Sequence, residues 1–231
     1  MTEFRNRIFN SLIDRGDALV ISDMACFDCE FMNCALCLTT DIEKRATVSD
    51  VLLQNCTVSA SDLGPALLKR VQIDGLVTDS LFIVWGAVFD QVVFSGKIGK
   101  IKINRHVHHV DKSDRVQRPF DAFRQHYYEN AEWALDISRA KFRLLEIYGI
   151  PARLIRRDPS TQMVVTRERA LNPAWRTQVS AENKHWPFAI DMFLATGEAD
   201  RVLVAPLSGP KKQIDKLLTE LKELRDLGVV E

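Results

Sequence analysis

The chain has 231 residues, in which 31 lysines and arginines balance 31 aspartates and glutamates, a length that suits one large domain or two small ones. Zero formal net charge excludes both the bulk basic character of a nucleic-acid binder and a strongly acidic surface. No apolar run approaches the ~20 residues that span a bilayer, and the opening MTEFRNRIFNSLIDRG is too polar for a signal peptide. With an odd number of cysteines, five, the expectation is a cytoplasmic protein with free thiols.

Taken in order, residues 1–18 place Phe4, Ile8, Phe9 and Leu12 at helical spacing with Gly16 as a stop. This predicts a short N-terminal helix that caps the repeats beginning at Leu19. From Leu19 a five-residue rhythm sets in as LVISD MACFD CEFMN CALCL, centred on Ile21, Cys26, Phe31 and Leu36. Thr39 to Arg45, rich in charge at Asp41, Glu43, Lys44 and Arg45, reads as a loop breaking out of that rhythm. Beyond it every fifth residue from Val48 forms a column: Leu53, Val58, Leu63, Leu68, Ile73, Thr78, Ile83, Val88, Val93, Ile98 and Ile103, aliphatic except at Thr78.

Residues five apart on a straight strand point to opposite faces, so a column of this period stays inside only if the chain turns a corner about once per five residues. The residues two before each member should then also point inward, and most are small or apolar, as at Ala46, Val51, Cys56, Ala66, Val71, Leu76 and Ile101. Read as ATVSD VLLQN CTVSA SDLGP ALLKR VQIDG LVTDS LFIVW, the stretch resembles the pentapeptide-repeat family, with Asp62 alone supplying an Asp before the centre. The resemblance implies a mainly β fold, a right-handed β-helix of four-sided coils over residues 19–105, in a bacterial protein. A β-sandwich of alternating strands would not hold one phase for so long.

Residues 106–132, HVHHVDKSDRVQRPFDAFRQHYYENAE, break the column and read as an irregular insertion; loops of that length commonly carry function. Partner-binding candidates there are His106, His108, His109, Arg115, Arg118, Phe120, Phe123, Tyr127 and Tyr128. Residues 133–155 resume the rhythm at Ile137, Phe142, Ile147 and Ala152 and predict a last coil, with a helix ending at Gly149 as the rival. Residues 156–231 read as an α/β segment. It has a strand at Met163 to Thr166, a helix around Ala189 to Leu194, a strand at RVLVAP, and a helix over Pro210 to Leu227 striped by Ile214, Leu217, Leu218, Leu221 and Leu224. That helix should dock on its own domain or pair with a second copy.

The chemistry-bearing residues do not assemble into a constellation. Cys26, Cys29, Cys34 and Cys37 spell two CxxC pairs, but only four residues separate them and three fall on inward positions, where cysteine packs as a small hydrophobe. His106, His108 and His109, with His126, lack a carboxylate or thiol to complete a metal set. GxSxG, HExxH, P-loop and GxGxxG motifs are all missing. The expectation is a non-catalytic protein without metal or cofactor that binds another protein, neutralising a toxin or protecting a target. A DNA mimic acting on a DNA-processing enzyme is the alternative from a different class. Arg153, Arg156, Arg157, Arg167 and Arg169, with Lys100, Lys102 and Arg105, form a basic region late in the chain, against acidic residues concentrated earlier.

Overall fold

The computed structural model describes residues 1–107 and 114–231, so His108 and His109 lie outside the described residues. The chain is mainly β, dominated by one parallel sheet of 12 strands. They are β1 Thr2–Arg5, β2 Ile8–Asn10, β3 Val20–Phe27, β4 Glu30–Met32, β5 Ala35–Leu36, β6 Thr47–Ser59, β7 Asp62–Leu63, β8 Leu67–Trp85, β9 Val88–Asp90, β10 Val92–Asn104, β11 Leu135–Ile147 and β12 Ile155–Arg156. The main path runs β1-β3-β6-β8-β10-β11-β12, in sequence order.

Chain reach forces these strands to bend. In β6 Thr47 pairs with Leu67, the first residue of β8. A straight β6 of 13 residues would carry Ser59 about 40 Å from Thr47. The eight steps from Ser59 to Leu67 recover at most ~29 Å. The corners that solve this are visible in the backbone: φ is positive at Asn6, Ser11, Gly16, Asp23, Asp28, Asn33, Asp50, Asn55, Ala60, Arg70, Gly75, Gly86, Gln91 and Gly96. Most are Asn, Asp or Gly, the residues that tolerate the left-handed region. Each stands two residues after an inward side chain, as Asp50 follows Val48 and Asn55 follows Leu53.

The inward column holds from Val48 to Thr78 and then slips. Leu63 pairs with Val84, Leu68 with Phe89 and Ile73 with Phe94, so Val84, Phe89 and Phe94 occupy the places expected for Ile83, Val88 and Val93. The extra residue is absorbed where Asp79, Ser80 and Leu81 bulge outward in β8. Gly99 fits against this bulge, because a Cβ there would lie 2.3 Å from Thr78 Oγ1. The slip places two large rings inside, with Phe94 and Phe142 5.7 Å apart, and the expected column resumes at Ile98 and Ile103, both buried.

The N-terminal helix expected over residues 1–18 is not formed; β1 and β2 stand there instead. Phe4 pairs with Cys26 and Phe9 with Phe31, the Phe9 and Phe31 rings stacking at 5.1 Å. Two phenylalanines five apart, with corners at Asn6 and Ser11, satisfy the rhythm of the following strands. Ile8 of β2 and Val20 of β3 remain 65% and 75% exposed. Thr39 to Arg45 does leave the sheet as a loop, with a short 3₁₀ turn at Ile42–Lys44 capped by Asp41.

Residues 106–132 also differ from the expected irregular insertion, since they contain helix α1, Asp114–Glu129, with Pro119 inside it. A proline in a helix interior costs ~3 kcal/mol, but burial of an aromatic side chain returns ~1.5–3 kcal/mol, and Phe120 and Tyr128 are both fully buried. Over the stretch expected to form a last coil, with a helix as its rival, the chain forms strands β11 and β12, paired in parallel with Leu135 opposite Ile155.

The C-terminal segment closes the other end. β13, Gln162–Thr166, and β14, Asp200–Val204, form an antiparallel pair whose two faces serve two cores. Val164, Val202 and Val204 join the main core, while Met163, Val165 and Leu203 face a second one containing Trp175, Trp186, Phe193, Leu217, Leu221 and Leu224. That second core is walled by α2 Arg167–Leu171, α3 Ala174–Gln178, α4 His185–Leu194 and α5 Lys211–Asp226. Leu217, Leu221 and Leu224 of the α5 stripe are thus packed within their own chain, the first of the two expectations for this helix. Gln162 Nε2 donates to Ile137 O at 3.0 Å and Leu207 N to Phe142 O at 2.8 Å, satisfying carbonyls on the outer edge of β11. Ile73 is buried in the column, so Ile73→Asp places an unpaired charge inside. The variant is expected to lose its cooperative transition by circular dichroism, and an unchanged melting curve would contradict the register.

Candidate functional site

The predicted partner-binding residues divide sharply by position. Phe120 and Tyr128 are buried, and the Tyr128 hydroxyl accepts a hydrogen bond from Phe89 N at 3.1 Å. Tyr127 donates to Asp90 Oδ2 at 2.7 Å, and Phe123 lies under the Arg45 guanidinium at 3.7 Å. Desolvation, then the bond to Asp90, raises the Tyr127 phenol far above its ordinary pKa. Tyr127 and Tyr128 fasten α1 to β9 and Phe123 fastens it to the end of the Thr39–Arg45 loop, while Phe120 is buried, so these rings are committed to packing. Arg115 and Arg118 are exposed on the outer side of α1. His106 anchors its own backbone on Asn104 Oδ1 at 3.1 Å, and partial burial, then Arg105, lowers its pKa.

The cysteines sit where small residues are needed. Cys26, Cys29, Cys37 and Cys56 are fully buried, and all five cysteines are free. Cys29, Cys34 and Cys56 each direct a thiol to two carbonyls, one two residues back and one on the preceding strand; Cys34 reaches Met32 O and Phe9 O at 3.3 Å. Ser61 makes the same pair of bonds to Ser59 and Phe31, so the position selects a small donor and not a metal ligand. Burial, with Cys29 and Cys56 as neighbours, pushes the Cys26 thiol up to about 12. Among the described residues no cluster of three or more His, Cys, Asp or Glu is placed to hold a metal.

The larger cleft, about 750 Å³, lies between α1 and the loops before β12 and β14, and it is lined by charged groups that hold backbone. Arg124 donates to Arg105 O at 2.8 Å and pairs with Asp121; Arg153 donates to Tyr128 O at 2.7 Å. Glu198 and Asp200 accept from Gly149 N at 2.7 Å and Ala152 N at 2.8 Å. Their arrangement joins α1, the last strands and the C-terminal segment. A smaller groove of about 420 Å³ runs over Val51, Leu52, Gln72 and Val93, with Asp50 and Arg70 joined at 2.6 Å beside it.

A surface that sequence reading only partly identified lies on β10 and β11. Lys97 stands directly opposite Lys141, and Ser95 opposite Arg139. Lys97, Arg139, Lys141 and Arg143 are exposed, with Lys100 half-buried beside them. Lys100 belonged to the expected basic region, but strand pairing is needed to bring the other four to it. Comparison with known proteins finds no matching family model, no curated relative and no similar solved structure.

Two outcomes are expected from this geometry. At pH 8 Cys26 carries about a thousandfold less thiolate than an ordinary cysteine, so native protein should leave Cys26 unreacted with a chromogenic disulfide reagent, and unfolding should expose all five thiols. Rapid native reaction of all five would contradict the packing. Lys97→Glu replaces a cross-strand repulsion with an attraction, so stability should rise by ~0.2–1 kcal/mol, read as a higher midpoint in thermal melting.

Proposed function

We propose that this chain is a non-catalytic protein-binding scaffold, built as a right-handed, four-sided β-helix of the pentapeptide-repeat type and working in the cytoplasm. The five-residue spacing of its left-handed corners supports that architecture, as does the sequence-ordered parallel pairing of its strands, because parallel crossovers are right-handed in nearly all folds. The observation that carries the functional reading is the use of its chemistry-bearing side chains. The thiols fill the interior, the rings of α1 fasten the insertion, and the charged groups of the larger cleft hold backbone. What remains for recognition is the outward β surface.

Mimicry of DNA would need an unbroken acidic column. Here Asp50 is held by Arg70 and Asp90 by Lys69 and Tyr127, and the last strands carry exposed cations. A partner protein, such as a toxin to be neutralised or an enzyme to be protected, fits the mixed surface better. The test is affinity capture from a native extract on the immobilised full chain, then reconstitution with the purified partner. A complex of defined stoichiometry by light scattering is expected; failure of every captured protein to reconstitute would remove the reading.

A further inference from the structure

We propose that the basic face of β10 and β11 receives an acidic, partly apolar protein surface, an inference that rests on the scaffold reading and supplies the chemistry of the partner. Lys97, Arg139, Lys141 and Arg143 project from paired strands, and none of these or Lys100 forms an ion pair with another described residue. The neighbouring carboxylates are already engaged. Asp74 accepts from Ser95 Oγ at 2.9 Å, Asp79 from Ala60 N at 3.2 Å, Asp136 from Ser138 Oγ at 2.7 Å, and Glu146 pairs with Lys102 at 3.0 Å.

Directly opposed like charges destabilise a sheet, so the Lys97–Lys141 pair works against the fold that displays it. A close pairing of like charges that costs stability is one that an oppositely charged partner would relieve. The positive charge continues beyond β11. Leu207 N and Ser208 N both bond Phe142 O, between Lys141 and Arg143, and three residues later α5 begins. Its first residues, Lys211 and Lys212, are exposed, no acid stands in its first turn, and Pro210 provides no side-chain cap, so the positive end of the helix dipole adds to the patch.

The apolar content selects the class of partner. Val77 is 60% exposed on the neighbouring strand β8, and the exposed Leu81 lies directly opposite Lys100, which faces Leu144 on its other side. Nucleic acid is held chiefly through phosphate charge, and this chain has no net positive charge to gather a polyanion. Apolar side chains set among cations match a protein interface, with its apolar centre and polar rim.

The probe is a fluorescent acidic peptide with interspersed leucines, measured by anisotropy against the wild-type chain, Lys97→Glu/Lys141→Glu and the neutralising Arg139→Gln/Arg143→Gln. A single-stranded oligonucleotide of equal charge forms the second arm, and melting curves verify that each variant is folded. The expected result is salt-sensitive peptide binding that weakens at least tenfold in both variants, with weaker binding of the oligonucleotide. Equal peptide binding by wild type and variants, no binding by wild type, or tighter oligonucleotide binding would each overturn the proposal. If the natural partner is captured equally by wild type and variants, this face fails while the scaffold reading stands. If the peptide binds as expected but no captured protein reconstitutes, the scaffold reading fails instead.

Discussion

Everything in this molecule depends on how far a polypeptide can reach in one turn of the ladder. Paired strands of the large sheet run in parallel, and a link such as Ser59 to Leu67 between β6 and β8 is too short for a helical crossover; only the link from β10 to β11 carries a long helix. The chain meets that constraint by bending after every fifth residue. Many of the bends are placed in the left-handed region, where an ordinary side chain costs ~1–2 kcal/mol and Asn, Asp or Gly costs less. Side-chain choice at the corners is therefore as strongly constrained as that in the core. The thiols and the Ser61 hydroxyl two residues before successive centres add a row of local hydrogen bonds to inward carbonyls.

The two longest departures from the ladder are tied back in different ways. The Thr39–Arg45 loop is held by its own cap at Asp41 and by the stacking of Arg45 on Phe123. The α1 excursion is fixed by a buried aromatic surface and by two phenols that address Phe89 N and Asp90. Thus the loop and the helix brace each other across one side of the sheet, and the residues that looked most available for binding are the ones that close this contact. The outward β face stays free of such excursions on β10 and β11.

Much of the fold was legible because a period of five cannot arise from a straight strand or from a helix. The inward column, the loop at residue 39 and the strand after residue 133 came from that patterning, while the C-terminal strands and the α5 helix came from apolar runs and a helical leucine stripe. Two errors share one cause. Hydrophobicity alone let Phe4, Ile8, Phe9 and Leu12 pass as a helix and kept Ile83, Val88 and Val93 in phase. The corner residues Asn6, Ser11 and Gly16, and later Gly86 and Gly96, would have marked both places, since corners repeat at the same interval as the core. In residues 106–132, Phe120, Phe123 and Tyr127 have helical spacing with Val116, and Pro119 concealed it. The basic face was harder to see, because Lys97 and Lys141 become neighbours only after the α1 excursion has been spliced out of the ladder.

The antiparallel pair of β13 and β14 gives the two cores a common wall. Its alternate residues face opposite ways, so loosening either core strips contacts from the same two strands. A ladder of nearest-neighbour pairs would by itself tend to fray gradually from an end. Through β13 and β14 the helical unit and the parallel sheet share a wall, so a substitution that loosens the second core is expected to be felt in the first.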